Sequence, residues 1–199
     1  MDMGTSATAG RPRAFDQDTV LERALDLFWR RGYRNTTTRD LESALELSQS
    51  SLYNAFGSKS GLMEAALDRY EDMTGVSLLD PLTNSSDGLD AVDRFLDDLA
   101  HWVTHDGRSG CMLINLMVED GGASSSVTKR AAAYRRRVRD ALRDALARDI
   151  GESAEQRADL LFGVVLGINV AARGGAPRAE LNRLVASAHH IVDSWRQAA

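Results

Sequence analysis

The sequence predicts an all-α chain of about nine helices, and three observations carry that expectation. The 199 residues include only three prolines, Pro12, Pro81 and Pro177, and each falls between apolar-periodic segments rather than inside one. The chain is rich in Ala, Leu, Arg and Asp, which suits helices with few breakers. Apolar residues recur at spacings of three and four in segment after segment, and capping residues stand where those segments begin and end. At 43% hydrophobic and 27% charged residues the composition is that of an ordinary globular protein, and the length suffices for a small domain joined to a larger one.

Residues 1–13, rich in Gly, Ala, Ser and Thr, read as a disordered N-terminal arm. Arg11 and Arg13 at its end serve either as a basic arm along a nucleic-acid backbone or as a solvated tail. A first helix begins near Asp16 or Asp18, carries Val20, Ala24, Leu27 and Phe28 on one stripe, and stops at Gly32. Thr37 and Asp40 have the spacing of a capping box for a second helix with Leu41, Ala44 and Leu45 inward. After a break at Glu46-Leu47-Ser48, Ser48 caps a third helix running to about Phe56, with Leu52 and Phe56 inward. Gly57-Ser58 breaks the chain again, and Ser58 caps a fourth helix bearing Leu62, Ala66 and Tyr70.

Residues 80–88 read as a loop, and Leu89, Val92, Leu96, Leu99 and Val103 mark a fifth helix. Residues 106–110 form a turn, residues 111–119 a short apolar helix bounded by Gly121-Gly122, and Ser124 to Ser126 lead into a long charged helix ending near Asp149. Ser153 caps a helix to about Ala172, and Gly174-Gly175-Ala176-Pro177 connects it to a last helix with Leu181, Leu184, Ala188, Ile191 and Trp195 inward. The expected organisation is an arm (1–13), a helix-turn-helix unit (14–74) and a larger helical unit (75–199).

Composition also bounds function. The formal net charge of −5 means that any nucleic-acid binding comes from a local surface. Residues 1–60 hold eight basic and eight acidic residues, so the acidic excess lies in the remainder. A single cysteine, Cys111, excludes an intramolecular disulfide, and together with an N-terminus lacking an apolar core it points to a cytoplasmic protein. The longest apolar run, residues 160–172, contains Gly163, Gly167 and Asn169 and is too short for a bilayer. Four histidines and one cysteine show no metal-ligand spacing, and neither a phosphate loop, a nucleophile motif nor a carboxylate pair is visible. No catalytic residue, metal or cofactor is expected, and the chain reads as no enzyme.

Two short helices joined by a tight turn, the second capped, have the pattern of a DNA-binding helix-turn-helix, although any short capped helix pair shares it. The second helix presents Gln49, Ser50, Ser51, Tyr53 and Asn54, side chains able to reach base edges and phosphates. Further residues at fixed spacing sharpen this. Gly32-Tyr33, Thr36-Thr37-Thr38, Asp40-Leu41, Ser48, Ser50-Ser51-Leu52-Tyr53, Phe56, Ser58-Lys59 and Leu62 together resemble the N-terminal signature of the tetracycline-repressor-like (TetR) family. Roughly residues 14–74 match. Two positions depart: Glu46 stands where the family usually has glycine in the turn, and Ser60 where it often has an acid. A glutamate there leaves the turn either right-handed or slightly strained.

The resemblance implies a DNA-binding transcriptional regulator, a ligand-responsive repressor acting as a homodimer on a palindromic operator. By position it places Thr37, Thr38 and Arg39 at phosphates and Gln49, Ser50 and Ser51 deepest in the major groove, with Tyr53 and Lys59 on further phosphates. It also implies a second, ligand-binding and dimerising part, with a two-fold interface from residues 157–172 and 178–196. Candidate lining for a small-molecule inducer site comprises Trp102, His105, Met112, Asn115, Phe162 and Asn169. A Gly-Cys-Met-Leu-Ile-Asn string at Gly110 resembles one in a subset of the family, so a thiol-responsive repressor using Cys111 stands as the alternative, against a buried inert cysteine. The basic run at 129–143 reads as a salt-bridged helix face.

Overall fold

The computed structural model describes residues 15–74, 78–105, 110–120 and 126–198. Arg11 and Arg13, the 106–109 part of the expected turn, Gly121-Gly122 and Ser124-Ser125 lie outside the described residues. In order come α1 (Gln17–Arg31), α2 (Thr38–Leu45), α3 (Gln49–Phe56), α4 (Lys59–Thr74), α5 (Asp80–Asn84), α6 (Gly88–Thr104), α7 (Met112–Asp120), α8 (Ser126–Ile150), α9 (Ala154–Arg173) and α10 (Arg178–Arg196). A 3-10 turn, Gly151–Ser153, joins α8 to α9. The described residues are helical throughout with no strand, the all-α class that the periodicity predicts.

Local chemistry sets the N-terminal boundaries. Asp16, in extended backbone, caps α1 by accepting from the Asp18 N–H. Gly32 ends the helix with φ 86°, its N–H donating to Phe28 O at 2.8 Å. Both halves of the capping box form on α2: the Asp40 N–H donates to Thr37 Oγ1, and the Thr37 N–H donates to Asp40 Oδ2 at 2.8 Å. Ser48 accepts from the Ser51 N–H at the head of α3, and Ser58 does the same for Gly61 at the head of α4.

Two expectations fail locally. Residues 80–84, read as loop, form the short helix α5, because Pro81 sits in its first turn, where the missing N–H is harmless. Ser153 does not cap α9; it lies in right-handed backbone inside the 3-10 turn, and its hydroxyl donates to Ile150 O at 2.9 Å.

The first four helices close around Ala24, Phe28, Leu41, Leu52, Leu62 and Ala66, all shut off from solvent. Each leucine buried in this way contributes about 1.5–3 kcal/mol. In the second part α8 lies centrally, against α6, α7 and α9, while α10 packs on α6 and α9. Among the described residues, three of the seven basic residues in the run on α8 form ion pairs: Arg130 with Asp68 and Glu71, Arg139 with Glu155 and Asp159, and Arg143 with Asp140 and Asp144. Among the described residues no helix is long and apolar enough to cross a membrane.

Candidate nucleic-acid interface

α3 has one fully buried anchor, Leu52, a half-buried one, Phe56, and an open outer face. Leu52 is fully buried against the core, whereas Gln49, Ser50, Ser51 and Asn54 are exposed. Helical periodicity produces that division: Leu52 is buried, Tyr53 and Phe56 pack partly against the core, and the polar residues take the outer side. Ser48 Oγ lies 3.0 Å from Ser50 Oγ and 2.9 Å from Ser51 Oγ, so the first turn carries a cluster of hydroxyls. Glu42 on α2 accepts from the Gln49 N–H at 2.7 Å, placing a carboxylate at the positive end of α3 and fixing the two helices to one another.

Around this helix the structure gathers the remaining candidates. Thr37 and Arg39 are exposed at the start of α2, and Arg39 makes no ion pair among the described residues. Thr38 Oγ1 and the Tyr53 hydroxyl share a hydrogen bond at 3.1 Å, tying the two helices and aiming Tyr53 along the surface. Lys59, at the N-terminus of α4, lies 4.5 Å from the centre of the Tyr33 ring. Burial holds its pKa below the ordinary lysine value, opposed by the charge of Glu119. The turn between α2 and α3 is left-handed: Glu46 has φ 57° and ψ 33°, the one positive φ at a non-glycine among the described residues. This is the strained alternative of the two left open for a glutamate at that position, and the carboxylate reaches Arg23 at 3.2 Å.

A second layer, invisible in the motif, supports the first. Glu119, near the end of α7, accepts the Tyr33 N–H on Oε2 at 2.7 Å and the Arg173 guanidinium on Oε1 at 3.3 Å. Its own carbonyl accepts from Arg34. Arg173, in the last turn of α9, also donates to the Trp29 carbonyl at the end of α1. Periodicity could not reveal these partners, because 86 residues separate Tyr33 from Glu119.

Of the candidate ligand residues, Asn115 and Asn169 meet at Gly110, where a Cβ would lie 3.5 Å and 3.4 Å from their side-chain oxygens. Asn169 is fully buried and satisfied by the protein: its Oδ1 accepts the Cys111 N–H at 2.7 Å and its Nδ2 donates to Val165 O at 2.8 Å. It therefore anchors the head of α7. Met112, Asn115 and Phe162 are buried in the core. Trp102 stacks on Trp29 with ring centres 6.0 Å apart, and Tyr70 meets both rings edge-on. His105 is exposed, lining with His101, Thr104 and Arg178 an open hollow of about 170 Å³. Cys111 is buried beside the aromatic group, where the Tyr70 hydroxyl donates to its Sγ at 3.4 Å.

Comparison with known proteins agrees with this layout. The family described as "Bacterial regulatory proteins, tetR family" matches residues 20–66, from the first helix into the fourth. The HTH-type transcriptional repressor ComR of Escherichia coli K12 is 30% identical over 186 residues, covering 88% of each chain. BdcR, another HTH-type transcriptional repressor of that strain, is 26% identical over 85% of each chain. Among solved structures, a cysteine mutant of the TetR-family regulator CifR, complexed with 26-base-pair operator DNA, is 31% identical with a TM-score of 0.80, over 91% of this chain and 98% of its own. With a helix-turn-helix built from its first helices and full-length likeness to these regulators, the chain belongs to the TetR family of bacterial transcriptional regulators.

Proposed function

We propose that the protein is a ligand-responsive repressor that binds a palindromic operator as a homodimer. The observation that carries this is the outer face of α3: Gln49, Ser50 and Ser51 are exposed on a helix whose single buried side chain, Leu52, locks it to α2 and α4. We assign Thr37, Thr38, Arg39, Tyr53 and Lys59 to phosphate contacts, a reading supported by the Thr38–Tyr53 hydrogen bond that joins α2 to α3 and by the place of Lys59 at the head of α4. Repression is supported by ComR and BdcR, both named as repressors, and operator binding by the DNA complex of CifR.

The dimer face we assign is on α9 and α10. Leu160 and Val170 are the large hydrophobic side chains left 54% and 51% exposed among the described residues. Gly163 and Gly167 lie between them on the same side, and a Cβ at either would meet nothing within 4 Å. That stripe admits a second copy of the helix at close range. Two recognition helices then sit about one DNA turn apart, roughly 34 Å. An inducer preferring another arrangement lowers DNA affinity by its differential binding, typically about 1–3 kcal/mol.

A thiol switch at Cys111 is the second reading, favoured by one observation. The sulfur accepts from the Tyr70 hydroxyl at 3.4 Å, and the Tyr70 ring packs edge-on against Trp29 and Trp102, so side chains from α1, α4 and α6 meet at that donor. Peroxide that releases DNA from the wild type and not from Cys111→Ser supports the switch; equal release or none rejects it.

Gel-shift titration of DNA from the promoter beside its own gene tests the main reading. Gln49→Ala and Tyr53→Ala should bind at least about tenfold more weakly, the scale of one lost polar contact. Wild-type affinity in both variants rejects the assignment of α3 as the reading helix.

A further inference from the structure

We infer that Glu119 and Arg173 are positioning residues for DNA recognition: together they clamp the end of α1 and so set the orientation of each recognition helix within the dimer. The inference rests on the reading of the chain as a dimeric operator-binding protein, and it adds residues that lie outside the helix-turn-helix.

Both oxygens of the Glu119 carboxylate are committed, and to different elements. Oε2 accepts the Tyr33 N–H at 2.7 Å, and Oε1 faces Arg173 Nη2 at 3.3 Å. The Glu119 side chain is 20% and the Arg173 side chain 26% exposed, so the pair is shielded enough to hold one geometry. Arg173 spends its other terminal nitrogen on the Trp29 carbonyl, one of the last carbonyls of α1, which carry the negative end of the helix dipole. The cation thus stabilises the α1 terminus and the anion beside it at once.

The backbone is shaped around this contact. At Gly32 a Cβ would fall 2.7 Å from Glu119 Oε1, and φ is 86°. The glycine therefore both ends α1 and admits the carboxylate. From Tyr33 the connection continues into the candidate interface, because the Tyr33 ring carries Lys59 Nζ at 4.5 Å. One continuous set of contacts runs from α9 through α7 to the turn before α2 and the head of α4.

Arg173 closes the helix that also carries Leu160, Gly163, Gly167 and Val170. In the dimer the clamp therefore joins each DNA-reading unit to the element that fixes the two-fold axis. A rigid joint there makes the separation of the recognition helices a set distance, and a loosened one lets each unit follow its own half-site. Half-site spacing is the observable that separates these cases.

The experiment uses the full-length protein and the duplex that the wild type selects from a randomised DNA library. Base pairs are then inserted one at a time between the half-sites, and affinity is read by fluorescence anisotropy. Wild type should lose about 5- to 150-fold in affinity on the first insertions, the usual range for coupled sites. Glu119→Ala and Arg173→Met should lose less than about threefold over the same series, with each isolated half-site bound as well as by wild type. Glu119→Gln keeps an acceptor for the Tyr33 N–H without the charge, should fall between the two, and carries the test should the alanine variant not fold. Variants that retain the wild-type dependence on spacing overturn the inference while leaving the DNA-binding reading intact. A wild type that enriches no duplex overturns that reading, and the inference with it.

Discussion

Replacing Glu46 by glycine should stabilise the protein even though it deletes a side chain and an ion pair. Glu46 occupies the turn of the helix-turn-helix at φ 57° and ψ 33°, where a Cβ crowds the backbone at a cost of about 1–2 kcal/mol. Glycine removes that cost. Against it stands the greater freedom of glycine in the unfolded chain, about 0.4–1 kcal/mol. The Arg23–Glu46 pair is lost as well, but its side chains are 46% and 77% exposed, so it contributes only about 0.3 kcal/mol after solvent screening. About 0.5 kcal/mol of stabilisation remains. Glu46→Ala is the necessary control, since it deletes the same ion pair and keeps the crowded Cβ; it should be slightly less stable than wild type. Glycine should therefore exceed alanine by about 0.8 kcal/mol, worth roughly 2–3 °C in Tm for a chain of this length. Calorimetry of the three proteins at one fixed concentration reads this directly. An alanine variant as stable as the glycine variant refutes the strain at position 46.

Three further outcomes follow from the same structure. Leu160→Glu with Val170→Glu should convert the proposed dimer to a monomer with unchanged helical content: burying the exposed halves of both side chains on both protomers is worth about 4 kcal/mol, close to a thousandfold in Kd. Sedimentation equilibrium checks this, and a persistent dimer rejects the α9 face. Lys59→Ala should lower the slope of log affinity against log salt by about 2 for a dimer, one phosphate per protomer, without changing sequence preference; an unchanged slope places Lys59 off the DNA. The backbone and side chain of Thr37 hold the Asp40 carboxyl below its usual pKa, so the capping box stabilises α2 fully above pH about 4 and fades as pH falls through the lowered folded value. The Tm gap between wild type and Asp40→Ala should thus be constant near neutrality and shrink below about pH 4; a gap that widens on acidification contradicts the sign.

The N-terminal helices were legible because their signals are local. Thr37 with Asp40, Ser48 and Gly32 act within four residues of themselves, and each forms the cap its spacing implies. The same locality misled at Ser153, where a serine before a helix resembles a cap but the chain enters through a 3-10 turn. Pro81 misled in the opposite sense, since a proline that ends one helix is equally suited to begin another. Asn169 shows the limit most clearly. An amide in an apolar run demands a partner, and the sequence offers two kinds, a ligand or the protein itself. The partner is the Cys111 N–H, 58 residues away, a pairing that only the packing of α9 against α7 creates. Glu119 and Arg173 were missed for the same reason: an acid in a short helix and an arginine at a helix end look like ordinary solvated charges.

α1 is the element through which these long-range contacts would act. Its stripe of Val20, Ala24 and Phe28 belongs to the buried core of the helix-turn-helix, while Trp29 in its last turn meets Trp102 and Arg173, and Tyr33 just beyond its end meets Glu119, from the other part of the molecule. Fifteen residues at about 1.5 Å each make a rod of about 22 Å, held at one end by the clamp. A rotation of about 5° at that end carries the far end through roughly 2 Å, more than a hydrogen bond between a side chain and a base edge tolerates. In a dimer the displacement occurs at both half-sites, in opposite senses about the two-fold axis. Small movements of α6, α7 or α9 are therefore sufficient to change operator affinity without any rearrangement inside the helix-turn-helix, whose own core of Leu41, Leu52 and Leu62 is fully packed and resists deformation.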